Sequence, residues 1–136
     1  MKIYLWCSLT HASEKYRNSI SELKEKLRKD FIVFDFIWLI NWTNEDVYKC
    51  DRNCVKTCDV MIAECSQPST WLWYELWLWV ETWKQIFAFA SKDAKVSRMI
   101  LWINKDNYKF DRYTNFEDFY QKILKYVKEY KLKNDL

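Results

Sequence analysis

Glycine is missing from this chain of 136 residues, which contains only one proline and one histidine. Average usage of about 7 % would give roughly nine or ten glycines in this length, and roughly one or two tryptophans. The chain instead has nine tryptophans, a number that matches the missing glycines. Without glycine, every turn and every close backbone approach must be made by residues that tolerate positive φ poorly. The composition therefore suggests that tryptophan stands where glycine once stood.

Other absences exclude whole classes of protein. No apolar run reaches the roughly 18 residues that a membrane helix needs. The amino-terminal stretch MKIYLWCSLT lacks the length and the small-residue cleavage site of a signal peptide. The net charge of +3 is small and the basic residues are scattered, so neither a nucleic-acid nor a membrane partner is expected. The five cysteines are an odd number without a secretory context, and we expect a cytoplasmic protein with reduced thiols.

Length and periodicity indicate a single domain over residues 1–136. Short apolar runs predict strands over residues 2–6, 31–37, 59–64, 85–90 and 108–113. Amphipathic patterns predict four helices: one over 14–29, one that follows an N-cap at Asn44 and ends at residue 58, one around Glu75 and one over 115–133. They also permit a short helix within the loop 91–102. This alternation predicts an α/β fold with right-handed crossovers. We expect a flavodoxin-like, doubly wound domain with a five-stranded parallel sheet in the order 2-1-3-4-5.

That strand order predicts a crevice between the carboxyl ends of the first and third strands. The loops at this edge are residues 7–13 and 65–71. They would bring together a set of hydroxyl side chains: Ser8, Thr10, Ser13, Ser66, Ser69 and Thr70. Hydroxyl groups beside a helix amino terminus suit an anion such as phosphate. We call these two loops the mouth.

Two carboxylates are candidates for chemistry. Glu75 lies about one turn into the central helix, near the mouth, where a surface glutamate favoured by the helix dipole is the simpler alternative. Asp51 shares the apolar face of the second helix, an unusual place for a carboxylate. Two carboxylates that face one sugar-sized cleft are what glycosyl transfer uses, because one attacks or stabilises the anomeric carbon while the other manages a proton.

Three further features have simpler interpretations. A zinc site would need CxxC pairs or nearby histidines, so the spacing of Cys50, Cys54 and Cys58 favours buried small side chains. His11 lies in the first loop, either at the rim of the pocket or exposed to solvent. The aromatic helix WLWYELWLWVETW could be a stacking platform or a membrane-surface element, but its tryptophans surround the helix instead of forming one stripe.

The segment after the third strand carries a specific motif. It reads Ser66-Gln67-Pro68-Ser69-Thr70-Trp71-Leu72-Trp73-Tyr74-Glu75-Leu76-Trp77. This resembles the pattern [ST]-Q-P-S-x-G-x-G-Y-E-L-G of the nucleoside 2-deoxyribosyltransferase superfamily, in particular its 2′-deoxynucleoside 5′-monophosphate N-hydrolase branch. The resemblance extends from Tyr4 to the final helix.

The departures from that motif are all of one kind, because tryptophan stands at each of its glycines. Trp83 and Trp102, outside the motif, also stand where the family has glycine. Some bacterial lineages read the codon UGA as glycine, so the economical hypothesis is that glycine codons were translated as tryptophan. Literal tryptophans would overpack a turn and a helix that need small residues, at about 1 to 3 kcal/mol per site.

The resemblance also implies roles for individual residues. Glu75 would be the nucleophile that attacks C1′, Asp51 would assist through the base or the sugar hydroxyl, and Tyr4 would help to position the nucleophile. Phosphate would be held by Ser8 and Ser69. Thr10 stands where the branch has a phosphate-binding arginine.

In the family a serine like Ser97 completes the neighbouring subunit's site, which implies a homodimer or a larger homo-oligomer. No metal or cofactor is implied. The implied activity is hydrolysis of a deoxynucleoside 5′-monophosphate to free base and 2-deoxyribose 5-phosphate. Transfer of deoxyribose between bases of unphosphorylated nucleosides and non-catalytic nucleotide binding are the alternatives. Base preference stays open.

Overall fold

The computed structural model describes residues 1–9, 11–34 and 43–135. Within these ranges five strands alternate with five helices. The strands are β1 (Lys2–Cys7), β2 (Ile32–Phe34), β3 (Val60–Glu64), β4 (Gln85–Ser91) and β5 (Tyr108–Tyr113). The helices are α1 (Glu14–Leu27), α2 (Asn44–Thr57), α3 (Thr70–Val80), α4 (Arg98–Leu101) and α5 (Phe116–Lys133). The alternation that the periodicity predicts is confirmed.

All strand pairs are parallel and the order is β2-β1-β3-β4-β5, as predicted. The register pairs Tyr4 with Met61 and Ala63 with Ala88. The chain adds strands in one direction from β1 to β2 and in the other from β3 to β5, so the topological switch point, where ligands usually bind in this architecture, lies at the carboxyl ends of β1 and β3. Those ends are Cys7 and Glu64, which pair with each other.

The sheet is covered on both faces, which explains why its strands are nearly all apolar. Successive side chains of β1 point to opposite faces. Tyr4 and Trp6 belong to the core beneath α2 and α3, with Val55, Leu72 and Leu76. Ile3 and Leu5 belong to the opposite core, with side chains of α1 and α5: Leu23, Leu27, Phe119, Ile123 and Val127. Tyr4 therefore faces the helices that carry Asp51 and Glu75.

The helix boundaries differ from the predictions in detail. Asn44 is the first residue of α2 and not its N-cap, so that prediction is wrong. The cap is Thr43, whose hydroxyl accepts from the Asp46 amide at 3.2 Å while the Asp46 carboxylate accepts from the Thr43 amide at 3.0 Å. This reciprocal pair satisfies two helix-end amides, which a cap at Asn44 could not do with Asp46.

The strand boundaries lie within one residue of the predictions, apart from β2. The structure describes β2 over Ile32–Phe34, and residues 35–37 of the predicted strand lie outside the described residues. The short helix permitted in the loop after β4 is α4. No helix in the described ranges is long and apolar enough to cross a lipid bilayer.

The turn between α3 and β4 contains an unfavourable backbone conformation. Trp83 has φ of 60°, in the left-handed region, and its ring is 72 % exposed. For a side chain with a β-carbon, this region costs about 1 to 2 kcal/mol. At the surface, the Lys105 ammonium lies 5.7 Å from the ring centre. Glycine would take this conformation without the steric cost.

Candidate active site

Tyr4 of β1 and Asp51 of α2 form a partly buried, hydrogen-bonded pair. The Tyr4 hydroxyl donates to the Asp51 carboxylate at 2.8 Å, across 47 positions of the sequence. Tyr4 is 1 % exposed, because it lies on β1, between β2 and β3, and packs against side chains of α2 and α3. Burial, followed by the charge of Asp51, raises the pKa of the Tyr4 hydroxyl far above its ordinary value. Tyr4 therefore remains a hydrogen-bond donor to Asp51.

Glu75 lies on α3 beside this pair. Its carboxylate accepts a hydrogen bond from the Trp6 indole, which projects from β1 on the same face as Tyr4. The second oxygen of Glu75, Oε2, is buried and has no hydrogen-bond partner among the described residues. A buried carboxylate oxygen without a donor is destabilising, and such groups are concentrated at functional sites.

The two carboxylates influence each other electrostatically. Burial, followed by the charge of Asp51, raises the pKa of Glu75 from 4.5 to about 7, against a smaller lowering by the Trp6 hydrogen bond. Burial raises the pKa of Asp51 from 3.8 to about 6, opposed by the hydrogen bond from Tyr4. Two neighbouring carboxylates in a poorly solvated site share protons as a pair. The site can thus hold a proton and release it near neutral pH.

Two tryptophans enclose this carboxylate site. The Trp79 ring lies 5.4 Å from the Tyr4 ring in an edge-on arrangement. Trp6 and Trp79 are 8 % and 6 % exposed. Neither was predicted to belong to the site, although Trp6 lies two residues after Tyr4 on a strand and Trp79 four residues after Glu75 on a helix. That spacing places each on the same face as its neighbour.

The predicted mouth residues have several different roles. Ser13 and Ser69 are the N-caps of α1 and α3, accepting from Tyr16 and Leu72 amides at 3.2 and 3.3 Å. Ser8 is buried directly after β1. Ser66 is engaged in a buried network with Glu64, and Thr70 begins α3. Thr10 lies outside the described residues.

Ser97 lies apart from the carboxylates. It is the N-cap of α4, and it lines a cavity of about 290 Å³ whose polar lining side chains include Gln67 and Lys95. Apolar side chains of α3 and α4 form part of the remaining wall: Leu72, Trp73 and Ile100. Neither Asp51 nor Glu75 lines this cavity. Within one chain, the structure does not bring Ser97 to the carboxylate site.

The cysteines and the histidine form neither a disulfide nor a metal site in the part of the chain that the structure describes. All five cysteines are unbridged, and the Cys58 thiol donates to the Val55 carbonyl at 3.3 Å. Among residues 1–9, 11–34 and 43–135 no group of three acidic, cysteine or histidine side chains could hold a metal ion. His11 is exposed in the loop after β1.

The aromatic residues of α3 lie on several faces of the helix. Trp79 is buried and Trp73 is partly buried, whereas Tyr74 and Trp77 are more than half exposed. This distribution confirms that the tryptophans form no single stripe. It favours neither a stacking platform nor a membrane-surface helix.

The sequence matches no protein-family model, and no curated protein matches it. Solved structures do share its fold. A CMP N-glycosidase from Clostridium botulinum superposes with a TM-score of 0.71 at 18 % identity, covering 93 % of this chain and 99 % of that one. A 2-deoxyribosyltransferase from Bacillus psychrosaccharolyticus gives 0.61 at 21 % identity, with coverages of 88 % and 90 %. A 2-deoxyribosyltransferase from Leishmania mexicana gives 0.59 at 13 % identity, with coverages of 87 % and 93 %.

Proposed function

We propose that this chain is an N-glycosidase that hydrolyses 2′-deoxynucleoside 5′-monophosphates to free base and 2-deoxyribose 5-phosphate. The observation that carries the proposal is the grouping of buried Tyr4 with the half-buried carboxylates of Asp51 and Glu75, whose pKa values are raised to about 6 and about 7. Its position beneath α3, near the sheet switch point, is a usual place for a ligand in this architecture. Similarity of fold to a CMP N-glycosidase and to two 2-deoxyribosyltransferases supports the same chemistry.

The reaction proceeds by two displacements at C1′. Ionised Glu75 attacks C1′, the bond from C1′ to the base breaks, and the base leaves with the electron pair of that bond. The leaving base takes up a proton from solvent, with Asp51 assisting at the base or at the sugar hydroxyl, and the water that attacks in the second step returns a proton to solvent. Water then attacks C1′, releases Glu75 and gives the sugar product with retained configuration. Neither displacement needs a metal or a cofactor.

Phosphate recognition belongs to the mouth. The amino terminus of α3 and the hydroxyls of Ser8, Thr10 and Ser69 form the proposed phosphate site. Ser97 lies in a separate cavity of its own chain, so its proposed contribution is to the site of a second copy in a homodimer or larger homo-oligomer. We further propose a cytoplasmic location, since the odd number of cysteines favours a reducing compartment.

A transferase that moves 2-deoxyribose between bases is the second candidate. It is favoured by Thr10, which stands where the resembled hydrolase branch has a phosphate-binding arginine. Two of the structurally similar proteins are 2-deoxyribosyltransferases. The two activities differ in the acceptor of the glycosyl group, which is water in one and a second base in the other. A non-catalytic nucleotide-binding module would bind the same molecules without releasing base.

We also propose that the nine tryptophans are glycines in the protein made by its native host. Trp83 supports this, because it has a backbone conformation that glycine prefers. Trp6 and Trp79 support it as well, because these large side chains lie against Glu75 and Tyr4, two residues of the proposed sugar site. The intact mass of protein from the native host decides between the two compositions. A mass that matches nine tryptophans would exclude the glycine proposal.

The experiment that tests the function uses the full chain with glycine at the nine tryptophan positions. This glycine-restored protein is incubated with each deoxynucleoside and its 5′-monophosphate, with and without a second free base, and products are separated by chromatography. Hydrolysis predicts that the monophosphate gives free base and 2-deoxyribose 5-phosphate, whether or not the second base is present. A new nucleoside in the presence of the second base would identify the transferase. Binding without any base release would identify the non-catalytic module.

A further inference from the structure

A fully buried carboxylate lies outside the proposed catalytic group. Glu64 is the last residue of β3 and is 0 % exposed. It accepts hydrogen bonds from the Tyr16 hydroxyl, from the Tyr113 hydroxyl at 2.9 Å, and from both the hydroxyl and the amide of Ser66, the amide at 3.1 Å. All four donors are uncharged. None of these residues is a tryptophan, so replacing the tryptophans by glycine would change no member of the network.

The network connects Glu64 to the second loop of the mouth. Ser66 is the second residue of the turn between β3 and α3, and its hydroxyl also accepts from the Ser91 amide at 2.7 Å. The Cys65 amide before it donates to the Phe89 carbonyl at 2.7 Å. The start of the turn that leads to Ser69 is thereby attached to the carboxyl ends of β3 and β4.

The same carboxylate is connected to the first loop of the mouth. Tyr16 belongs to the first turn of α1, whose N-cap, Ser13, ends that loop. The neighbouring Arg17 guanidinium donates to the Leu9 carbonyl at 2.9 Å within the loop. Glu64 is therefore bonded directly to the second loop and, through Tyr16, to the helix that follows the first loop.

Tyr113 holds the network from the opposite side. Its ring stacks on Phe119 of α5, with centres 4.6 Å apart and planes within 9°. Its hydroxyl lies 2.9 Å from Glu64 and 3.3 Å from the Ser66 hydroxyl. The carboxylate is thus bonded to groups from α1, β5 and the turn after β3, and through Ser66 to the end of β4.

A buried carboxylate is not an efficient way to stabilise a fold. An apolar side chain of similar volume often stabilises a protein as well or better, because it carries no desolvation penalty. Polar networks that satisfy all their members instead fix one geometry among several that an apolar core would permit. Glu64 occupies a place from which such a geometry affects both loops of the mouth.

We propose that Glu64 is a positioning residue, which fixes the two mouth loops relative to each other so that they bind the 5′-phosphate of the substrate. This inference rests on the proposed function and deepens it. Glu64 does not contact the sugar or the base. Its loss should therefore weaken the recognition of phosphate far more than the chemistry at C1′.

The test compares a deoxynucleoside 5′-monophosphate with the same unphosphorylated deoxynucleoside. The parent is the glycine-restored full chain, and the variants are E64Q and S66A. The readout is the ratio of kcat/KM for the monophosphate to kcat/KM for the nucleoside. We expect this ratio to fall about tenfold in each variant, which is the loss of about 1.4 kcal/mol of selective binding. A purely structural defect would lower both values together and leave the ratio unchanged.

The matched control is Y126F. Tyr126 also connects a helix to a strand through a carboxylate, because its hydroxyl donates to Asp111 at 2.6 Å. Asp111 belongs to β5 but not to the mouth, so the ratio should stay at the parent value. An unchanged ratio in E64Q and S66A, or an equal fall in Y126F, would overturn the proposal. A parent that acts on nucleosides but on no monophosphate would overturn it as well.

A second measurement needs no turnover. Calorimetry gives the affinity of each protein for 2-deoxyribose 5-phosphate, and we expect about tenfold weaker binding in E64Q and S66A but not in Y126F. A parent that binds the sugar phosphate but releases no base would refute the proposed reaction and leave the positioning role measurable. A parent that releases base while E64Q binds the sugar phosphate as tightly would refute the positioning role alone.

Discussion

Replacing Glu75 by glutamine should stabilise the folded chain above neutral pH, although it should abolish catalysis. Burial and the charge of Asp51 raise the pKa of Glu75 from 4.5 to about 7 in the folded chain. The folded chain therefore binds the proton of Glu75 more tightly than the unfolded chain does. Below about pH 4.5 the group is protonated in both states, and above about pH 7 the folded chain carries the full penalty of an ionised, poorly solvated carboxylate.

The size of the effect follows from the pKa. At about 1.36 kcal/mol per pKa unit, the increase corresponds to about 3 kcal/mol. Glu75 is only partly buried, and solvent screening reduces the expected penalty to about 2 kcal/mol. Glutamine has the shape of the protonated acid, and its amide oxygen can still accept from Trp6. The E75Q variant should gain about 2 kcal/mol at about pH 8 and less than about 0.5 kcal/mol at about pH 4.

Urea unfolding of the tryptophan-containing chain and of its E75Q variant at the two pH values measures this difference. The control is E22Q, which neutralises an exposed glutamate on α1 and should change stability by less than about 0.5 kcal/mol at either pH. If E75Q shows no gain in stability at about pH 8, or the same gain at both pH values, then the pKa of Glu75 is not raised in the folded chain as described above.

Three further predictions concern activity and composition. Because Glu75 must be ionised to attack C1′, kcat/KM should rise with pH through about 7, and D51N should move this acid limb to lower pH by removing one cause of the raised pKa. In unfolding experiments on the printed chain, which has all nine tryptophans, W83G should be more stable than W83A by about 1 kcal/mol, because only glycine takes a φ of 60° freely. At Trp102, where φ is −104°, glycine should show no such advantage over alanine. In base-release assays, the printed chain should be far less active than the glycine-restored chain, and comparable activity of the two would refute occlusion by Trp6 and Trp79.

The fold was predictable because it depends on local patterns and a general packing rule. Apolar runs and amphipathic helices alternate along the chain, and right-handed crossovers restrict how five parallel strands can be ordered. Among the orders that remain, 2-1-3-4-5 is a common one for five strands, and it is the order observed. The cap at Thr43 was missed because Asn44, one residue later, is an equally good capping residue type. Only the reciprocal bond with Asp46 distinguishes the two positions.

The site was predictable only in part. The motif around Glu75, with the resemblance that it carries, identified Tyr4 and Asp51 as its partners, and the structure brings these three together. The roles of Trp6, Trp79 and Glu64 were not predictable, because they depend on contacts between residues far apart in the sequence. Glu64 bonds to Tyr16 and Tyr113, 48 and 49 positions away. An acidic strand end alone does not indicate which donors will surround it.

The most direct test of the proposed chemistry compares the glycine-restored protein with its E75A variant. Both are incubated with a 2′-deoxynucleoside 5′-monophosphate, and the rate of free base release is followed by chromatography. Removing the nucleophile should lower this rate by roughly 10⁴-fold or more, while far-ultraviolet circular dichroism stays that of the parent. Base release by E75A at a rate close to that of the parent would contradict the assignment of Glu75 as the nucleophile.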